Sequence, residues 1–303
     1  MRRVSFFAPS SLRGLPSDQT WQLPQLRELD LSQADHVTDD LLVSLAAALP
    51  KLQRLKLDMV SSSSSDRGVA AFAYQCDQLQ SISLRDCTIH DMALSALAKF
   101  RKIDLKEVDL AGCRRITTAG LAIMGKYNIK LQYLSLAQTP CDAETLEAFR
   151  TGLANYLCYL DISGCKRLDQ EPDRVARCLS QSRLIKLVVS MPVANAMVRL
   201  HQEQLLPSVS SSPMEFLEVD GLPEHTPMTF LDQLIQTFSS VKHIKLTRGY
   251  YDTDFMGGYL SGDAAVKNEI TEAQVDKFNL KQHVVVILVN KREKADDLGI
   301  HSW

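Results

Sequence analysis

The stretch LKEVDLAGCRRITTAGLAIMGKYNIK, Leu105 to Lys130, is written again in altered form on both sides of itself. Counting Leu105 as position 1, apolar side chains stand at positions 1, 4 and 6, and positions 4 and 6 share one face of a strand. Cys113 is position 9. Ile116, Leu121 and Met124 follow, with Thr117 or Thr118 placed to cap a helix, so the second half reads as a short amphipathic helix. One unit is therefore strand, tight turn, helix.

Position 1 recurs at Leu26, Leu52, Leu79, Leu105, Leu131, Leu157, Leu184, Met214 and Val241. The matching strand segments include LRELDL, LQRLKL, LQSISL, LQYLSL and LCYLDI. A single unit of this size cannot bury its apolar face, so the units must stack, each against its neighbours, into a solenoid. Because a helical crossover returns the chain to an equivalent strand each time, the strands are expected to be parallel and in register. In the first unit Val37, Leu41, Leu42 and Leu45 form the inward stripe of a helix that starts after Thr38.

These residues resemble the cysteine-containing class of leucine-rich repeats, most closely in CDQLQSISLRDC from Cys76, LKEVDLAGC from Leu105 and LCYLDISGC from Leu157, where Cys87, Cys113 and Cys165 all occupy position 9. Elsewhere position 9 is Ala34, Val60, Thr139 or Pro192, mostly small residues suited to a tight buried turn. The resemblance covers residues 23–248. It implies an α/β horseshoe of the ribonuclease-inhibitor kind, with parallel strands on the concave face and helices on the convex face. Leucine-rich repeats of this class also form the substrate-recognition part of F-box ubiquitin-ligase subunits, so the resemblance implies a non-catalytic interaction scaffold with a ligase adaptor among its partners. Only residues 1–22 precede the repeats, too few for an F-box, which is then expected on another segment or a partner chain.

The composition, 45% hydrophobic and 23% charged with a net charge of −2, is that of an ordinary soluble protein and offers no global field for nucleic acid or an anionic membrane. No apolar run approaches the roughly 20 residues of a membrane span. Seven cysteines without a CxxC pair, three of them at an equivalent repeat position, read as reduced packing thiols. Together with the absence of an N-x-S/T acceptor they favour a cytoplasmic or nuclear location. The alternative is mitochondrial: MRRVSFFAPSSLRGLPS carries Arg2, Arg3 and Arg13 and no acid, the composition of a presequence, although Pro9 and Pro16 interrupt any long helix. In that case the chain would serve as a structural or assembly subunit of a large complex.

Ser61–Ser65 and the Pro/Ser-rich tail around Pro207–Pro213 read as loops, and Met191-Pro192 as the turn of an eroded seventh unit. Residues 249–303 read as a C-terminal cap and tail, with a capping box at Thr271 and Gln274 and a β-prone run at HVVVILV. Asp252, Asp254, Gly257 and Asp263 match part of a calcium-loop template, but Met256 stands where a ligand is required and Asp263 where a bidentate Glu is preferred. No HExxH, GxSxG or phosphate-loop motif is present, so no catalytic residue, metal or cofactor is expected.

Positions 3, 5 and 7 alternate away from the buried 4 and 6 and must line the concave face. There Tyr133, Tyr159 and Phe216 form an aromatic lane flanked by Glu107, Asp109, Asp161 and Lys186. Aromatic anchors within a charged rim suit a protein or peptide ligand of basic or mixed character.

Overall fold

The computed structural model describes residues 3–5, 25–34, 37–60, 66–101, 105–206, 213–223, 225–248, 270, 275 and 284–290. The loops expected at Ser61–Ser65 and 207–212, the calcium-loop template and the tail after Asn290 lie outside these residues. Of the helix expected from Thr271, Val275 alone is described, and it is helical and buried.

Among the described residues eleven strands form one sheet in which every neighbour is parallel and spatial order equals chain order. They are β1 (Arg3–Ser5), β2 (Glu28–Asp30), β3 (Arg54–Lys56), β4 (Ser81–Ser83), β5 (Glu107–Asp109), β6 (Tyr133–Ser135), β7 (Tyr159–Asp161), β8 (Lys186–Ser190), β9 (Phe216–Leu222), β10 (His243–Arg248) and β11 (Val285–Asn290). The helices between them are α1 (Asp39–Ala48), α2 (Asp66–Gln75), α3 (Asp91–Arg101), α4 (Thr118–Tyr127), α5 (Ala143–Ala148), α6 (Arg150–Asn155), α7 (Pro172–Leu179), α8 (Met191–Gln202) and α9 (Met228–Thr237). Strand, helix, strand repeated in an open parallel sheet is the α/β leucine-rich-repeat-like horseshoe. Two strands lie outside the nine units: β1 pairs with β2 through Arg3↔Glu28, and β11 pairs with β10 through His243↔Val285.

The register confirms the repeat phase. Position 3 pairs with position 3 across every junction, from Glu28↔Arg54 through Glu107↔Tyr133 and Tyr133↔Tyr159 to Lys186↔Phe216. Positions 1, 4 and 6 point into the core between sheet and helices; Leu105, Val108 and Leu110 are buried there, as are Leu131, Leu134 and Leu136. Full burial of one such leucine stabilises the fold by about 1.5–3 kcal/mol. Thr38 caps α1 by accepting from Leu41 N, and Thr117 caps α4 by accepting from Gly120 N. Leu42, Leu45 and Ala46 form the inner face of α1, with Leu41 packed at its margin.

The turn after each strand has a conformation its residues do not advertise. Position 8 is left-handed in six consecutive units, at Gln33 (φ 59°), Met59 (55°), Asp86 (54°), Gly112 (74°), Gln138 (57°) and Gly164 (68°). Four of these are not glycine, and each such residue is strained by about 1 kcal/mol or more. The turn carries the sheet ladder past the short strands: Gln33 N donates to Asp58 O, Met59 N to Arg85 O, Asp86 N to Ala111 O and Gly112 N to Ala137 O, all at 2.7–2.8 Å. Backbone N–H groups beyond the short strands thereby keep partners in the next unit.

Position 9 completes the device. Its N–H folds back onto the position 6 carbonyl of its own unit, as in Cys113 N to Leu110 O at 3.1 Å. Its side chain reaches the position 6 carbonyl of the preceding unit: Cys87 Sγ donates to Leu57 O (2.9 Å), Cys113 Sγ to Leu84 O (2.9 Å) and Cys165 Sγ to Leu136 O (3.0 Å). A thiol is small and apolar enough to be buried there yet supplies a weak donor for the second lone pair of that carbonyl. Thr139 donates instead to Leu136 O of its own unit. At the other end of the turn, carboxylates that open one helix accept an N–H from the next unit: Asp39 from Gly68, Asp66 from His90 and Asp91 from Thr117. These bonds satisfy N–H groups at or just before the following helix start and tie each unit to the next.

The seventh unit departs from the expected turn at Met191-Pro192. β8 runs directly into α8, with Pro192 in the first helical turn. Pro192 stands at position 9, where it has no N–H to return to the position 6 carbonyl, and its φ fixed near −65° fits the first turn of a helix instead.

Candidate functional site

The register brings the expected concave residues together, row by row. Adjacent parallel strands lie about 4.8 Å apart, so planar side chains at equivalent positions meet face to face. Tyr133 and Tyr159 do so, with ring centroids 4.2 Å apart and planes 6° from parallel. Lys186, the next residue in the row, places Nζ 5.3 Å from the Tyr159 ring centroid. Beyond it Phe216 and His243 form a second stack, 4.7 Å apart and again at 6°. The aromatic lane is thus two stacked pairs bridged at Lys186, with Phe216 turned to His243 rather than to Tyr159. Stacking and the cation–π contact are each worth about 0.5–1.5 kcal/mol and hold the row in a fixed shape.

The position 5 row lies beside it. Asp109 is only 8% exposed. Its Oδ1 accepts from Ala111 N at 3.0 Å, and its other oxygen lies 3.7 Å from the guanidinium of Arg85. Two strands on, Asp161 Oδ1 accepts from Ser163 N (3.0 Å) and Ser163 Oγ (2.7 Å). Burial pushes the Asp161 carboxyl up to about 6 despite these bonds, with Glu218 and Asp109 adding to the rise. Burial likewise raises Asp109, against the Ala111 hydrogen bond and the Arg85 charge. The Tyr133 phenol is pushed up to about 12, and Tyr159 higher still, by burial and then by Asp109 and Asp161 respectively. Burial by itself would lower Arg85, but Asp109, Tyr133, Asp58 and Asp161 together raise it. Both tyrosines are therefore neutral near pH 7.

Charge is distributed unevenly along the concave wall. Near its ends it is neutralised by cross-strand pairs, Arg54 with Glu28 (3.2 Å) and Lys245 with Glu218 (2.6 Å). In the middle, Asp109 and Asp161 are crowded on buried ground beside the Tyr133–Tyr159 stack, with Arg85 the nearest cation to Asp109. Glu107 is exposed one place before Tyr133 in the row. All seven residues singled out in the sequence, Tyr133, Tyr159, Phe216, Glu107, Asp109, Asp161 and Lys186, lie on this wall between β5 and β9.

Two further participants stand at positions that the alternation also turns to this face. Arg85 sits at position 7 and reaches across to the position 5 row. His243 occupies position 3 of the ninth unit and lies against Phe216. Among the described residues no group of three or more His, Cys, Asp or Glu side chains could hold a metal ion, and no helix is long and apolar enough to cross a membrane.

No protein-family model matches the chain. Among curated proteins it is similar to the antagonist of mitotic exit network protein 1 of Eremothecium gossypii, 27% identical over 187 residues. The match takes in 60% of this chain and 46% of that protein, so the chain aligns with less than half of its relative's length.

Proposed function

We propose that this chain is a non-catalytic, regulatory interaction scaffold that holds a basic segment of a protein partner along the concave face. The observation that carries the proposal is the juxtaposition of a preformed Tyr133–Tyr159–Lys186 stack with the crowded carboxylates Asp109 and Asp161. A lysine or arginine of the partner would relieve the carboxylate crowding while its stem lies on the aromatic row, and the rigid sheet requires little ordering on binding. Similarity to a protein named as an antagonist of the mitotic exit network supports the regulatory part. In its finer form, drawn from the leucine-rich-repeat resemblance, the held partner is a substrate for ubiquitination and adaptor docking is supplied by another segment or chain.

Affinity purification from native cells with mass spectrometry, comparing wild type with Tyr133→Ala/Tyr159→Ala, tests both levels. Both side chains stand outside the packed core, so the double variant keeps its fold and loses the principal partner, with affinity falling about tenfold or more. A ligase adaptor together with a partner lost in the variant supports the ubiquitination form. One stoichiometric large assembly without ubiquitin machinery replaces it with a structural-subunit role, and a partner held equally well by the variant rejects the concave site.

A further inference from the structure

The edge of the horseshoe where helices return to strands is a second surface of opposite character. In a parallel sheet with helical crossovers every helix-to-strand connection lies on the same edge. On that edge consecutive units leave large aromatic side chains uncovered: Tyr74 at the end of α2 (68% exposed), Phe100 at the end of α3 (42%), Tyr127 at the end of α4 (45%) and Tyr156 after α6 (43%). Tyr74 and Phe100 meet edge to face at 5.5 Å. Lysines accompany them, with Lys99 Nζ 5.3 Å from the Phe100 centroid and Lys126 Nζ 5.9 Å from that of Tyr127.

The last helical turns before β5, β6, β7 and β8 and the four connections that follow them include, among their described residues, exposed Lys99, Lys106, Lys126, Lys130 and Arg183 and no Asp or Glu; Asp104, the one acid in their sequence, lies outside the described residues. The concave wall of the same units carries Asp109 and Asp161. Within these units those two acids thus stand on the concave wall and exposed bases on the edge.

We propose that this edge is a docking surface for an acidic, apolar-containing segment of a protein partner, distinct from the concave site. Aromatic rings spaced one per unit suit a linear segment that presents an apolar residue to each ring and carboxylates to the lysines between them. The basic stripe is also bounded, by Asp77 before it and by the Glu215–Lys242 pair (2.7 Å) after it, which gives it a finite length along one edge. A membrane surface would call for a broad basic face, and a nucleic acid for a denser cationic field than a net-negative chain supplies.

The test uses the full chain and a panel of fluorescein-labelled peptides that alternate Glu with Leu or Phe, read by anisotropy. Wild type is expected to bind with an affinity that weakens as salt is raised, and Lys99→Glu/Lys126→Glu/Lys130→Glu to bind at least about tenfold more weakly. The three lysines are exposed, so circular dichroism and the urea midpoint should match wild type. Phe100→Ser/Tyr127→Ser separates the aromatic from the ionic contribution and should also lose affinity. A lysine-rich peptide, which the concave face should take, keeps its affinity for the triple variant and loses it for Tyr133→Ala/Tyr159→Ala, so the two surfaces can fail independently. No saturable binding of any acidic peptide at about 100 μM would overturn the proposal. So would loss, in the triple variant, of binding to phosphatidylserine vesicles or single-stranded DNA in place of peptide, or of self-association seen by sedimentation.

Discussion

Gly112→Ala, with Asp86→Gly as its partner, probes the turn that repeats through the solenoid. Gly112 has φ 74°, where an alanine is strained by about 1 kcal/mol. A Cβ built there would lie 2.0 Å from Asp86 Oδ1, 2.8 Å from Asp86 Cγ and 3.4 Å from Asp86 Cα. The carboxylate is exposed and can swing aside, so the crowding adds about 1 kcal/mol rather than several. The single variant should therefore lose about 2 kcal/mol. Asp86 is itself left-handed at 54°, and Asp86→Gly relieves that strain, a gain of about 0.5–1 kcal/mol. In the double variant the crowding disappears and the two backbone effects nearly cancel, which leaves stability close to wild type. Urea unfolding followed by circular dichroism gives all four corners of the cycle. If the two substitutions add within about 0.3 kcal/mol, or if Gly112→Ala alone costs less than about 0.5 kcal/mol, neighbouring turns are not in contact and the stacking geometry is wrong.

Leu110→Ala or Leu134→Ala, each emptying a fully buried strand position, should cost about 2–5 kcal/mol in the same assay, and a loss below about 1 kcal/mol would contradict the register. Asp161 gives a pH dependence: its folded value of about 6 lies above that of an unfolded carboxylate, so its contribution to stability declines as pH rises from about 4 through 6. Asp161→Asn keeps an acceptor for Ser163 and should be relatively stabilising at pH 7, with the advantage fading by about pH 4; an advantage that grows on acidification would contradict the burial of this carboxylate. Binding of a lysine-rich peptide to wild type should weaken as pH falls through about 6 and be less sensitive to pH in that variant.

The solenoid could be read from the chain because its core obeys a side-chain code: positions 1, 4 and 6 are apolar in every unit, and one phase predicts all ten strand pairings except those of β1 and β11. β11 shows as a β-prone run, HVVVILV, but its seat beside β10 does not follow from any repeat. β1 is three residues, Arg3–Ser5, too short to carry a period. The left-handed turn was hidden for a different reason. Gln33, Met59, Asp86 and Gln138 hold it where glycine is expected, so the conformation is imposed by the ladder bond to the next unit and not by intrinsic preference. The concave residues were legible as a list, since alternation dictates which side chains face inward. Their pairing was not: that Phe216 stacks on His243, and that Arg85 reaches Asp109, depends on the directions side chains take between adjacent strands, which the register alone does not fix.

The cysteines of position 9 give the molecule a built-in set of clocks. Burial pushes Cys87 and Cys165 up to about 11 and Cys113 up to about 12, so in the closed solenoid each thiol is protonated, engaged with a carbonyl of the unit before it, and slow to react. A thiol becomes an ordinary nucleophile only when its own junction parts. Three junctions along one array carry such a thiol, so the alkylation rate of each would time how often that joint opens while the rest of the coil stays wound.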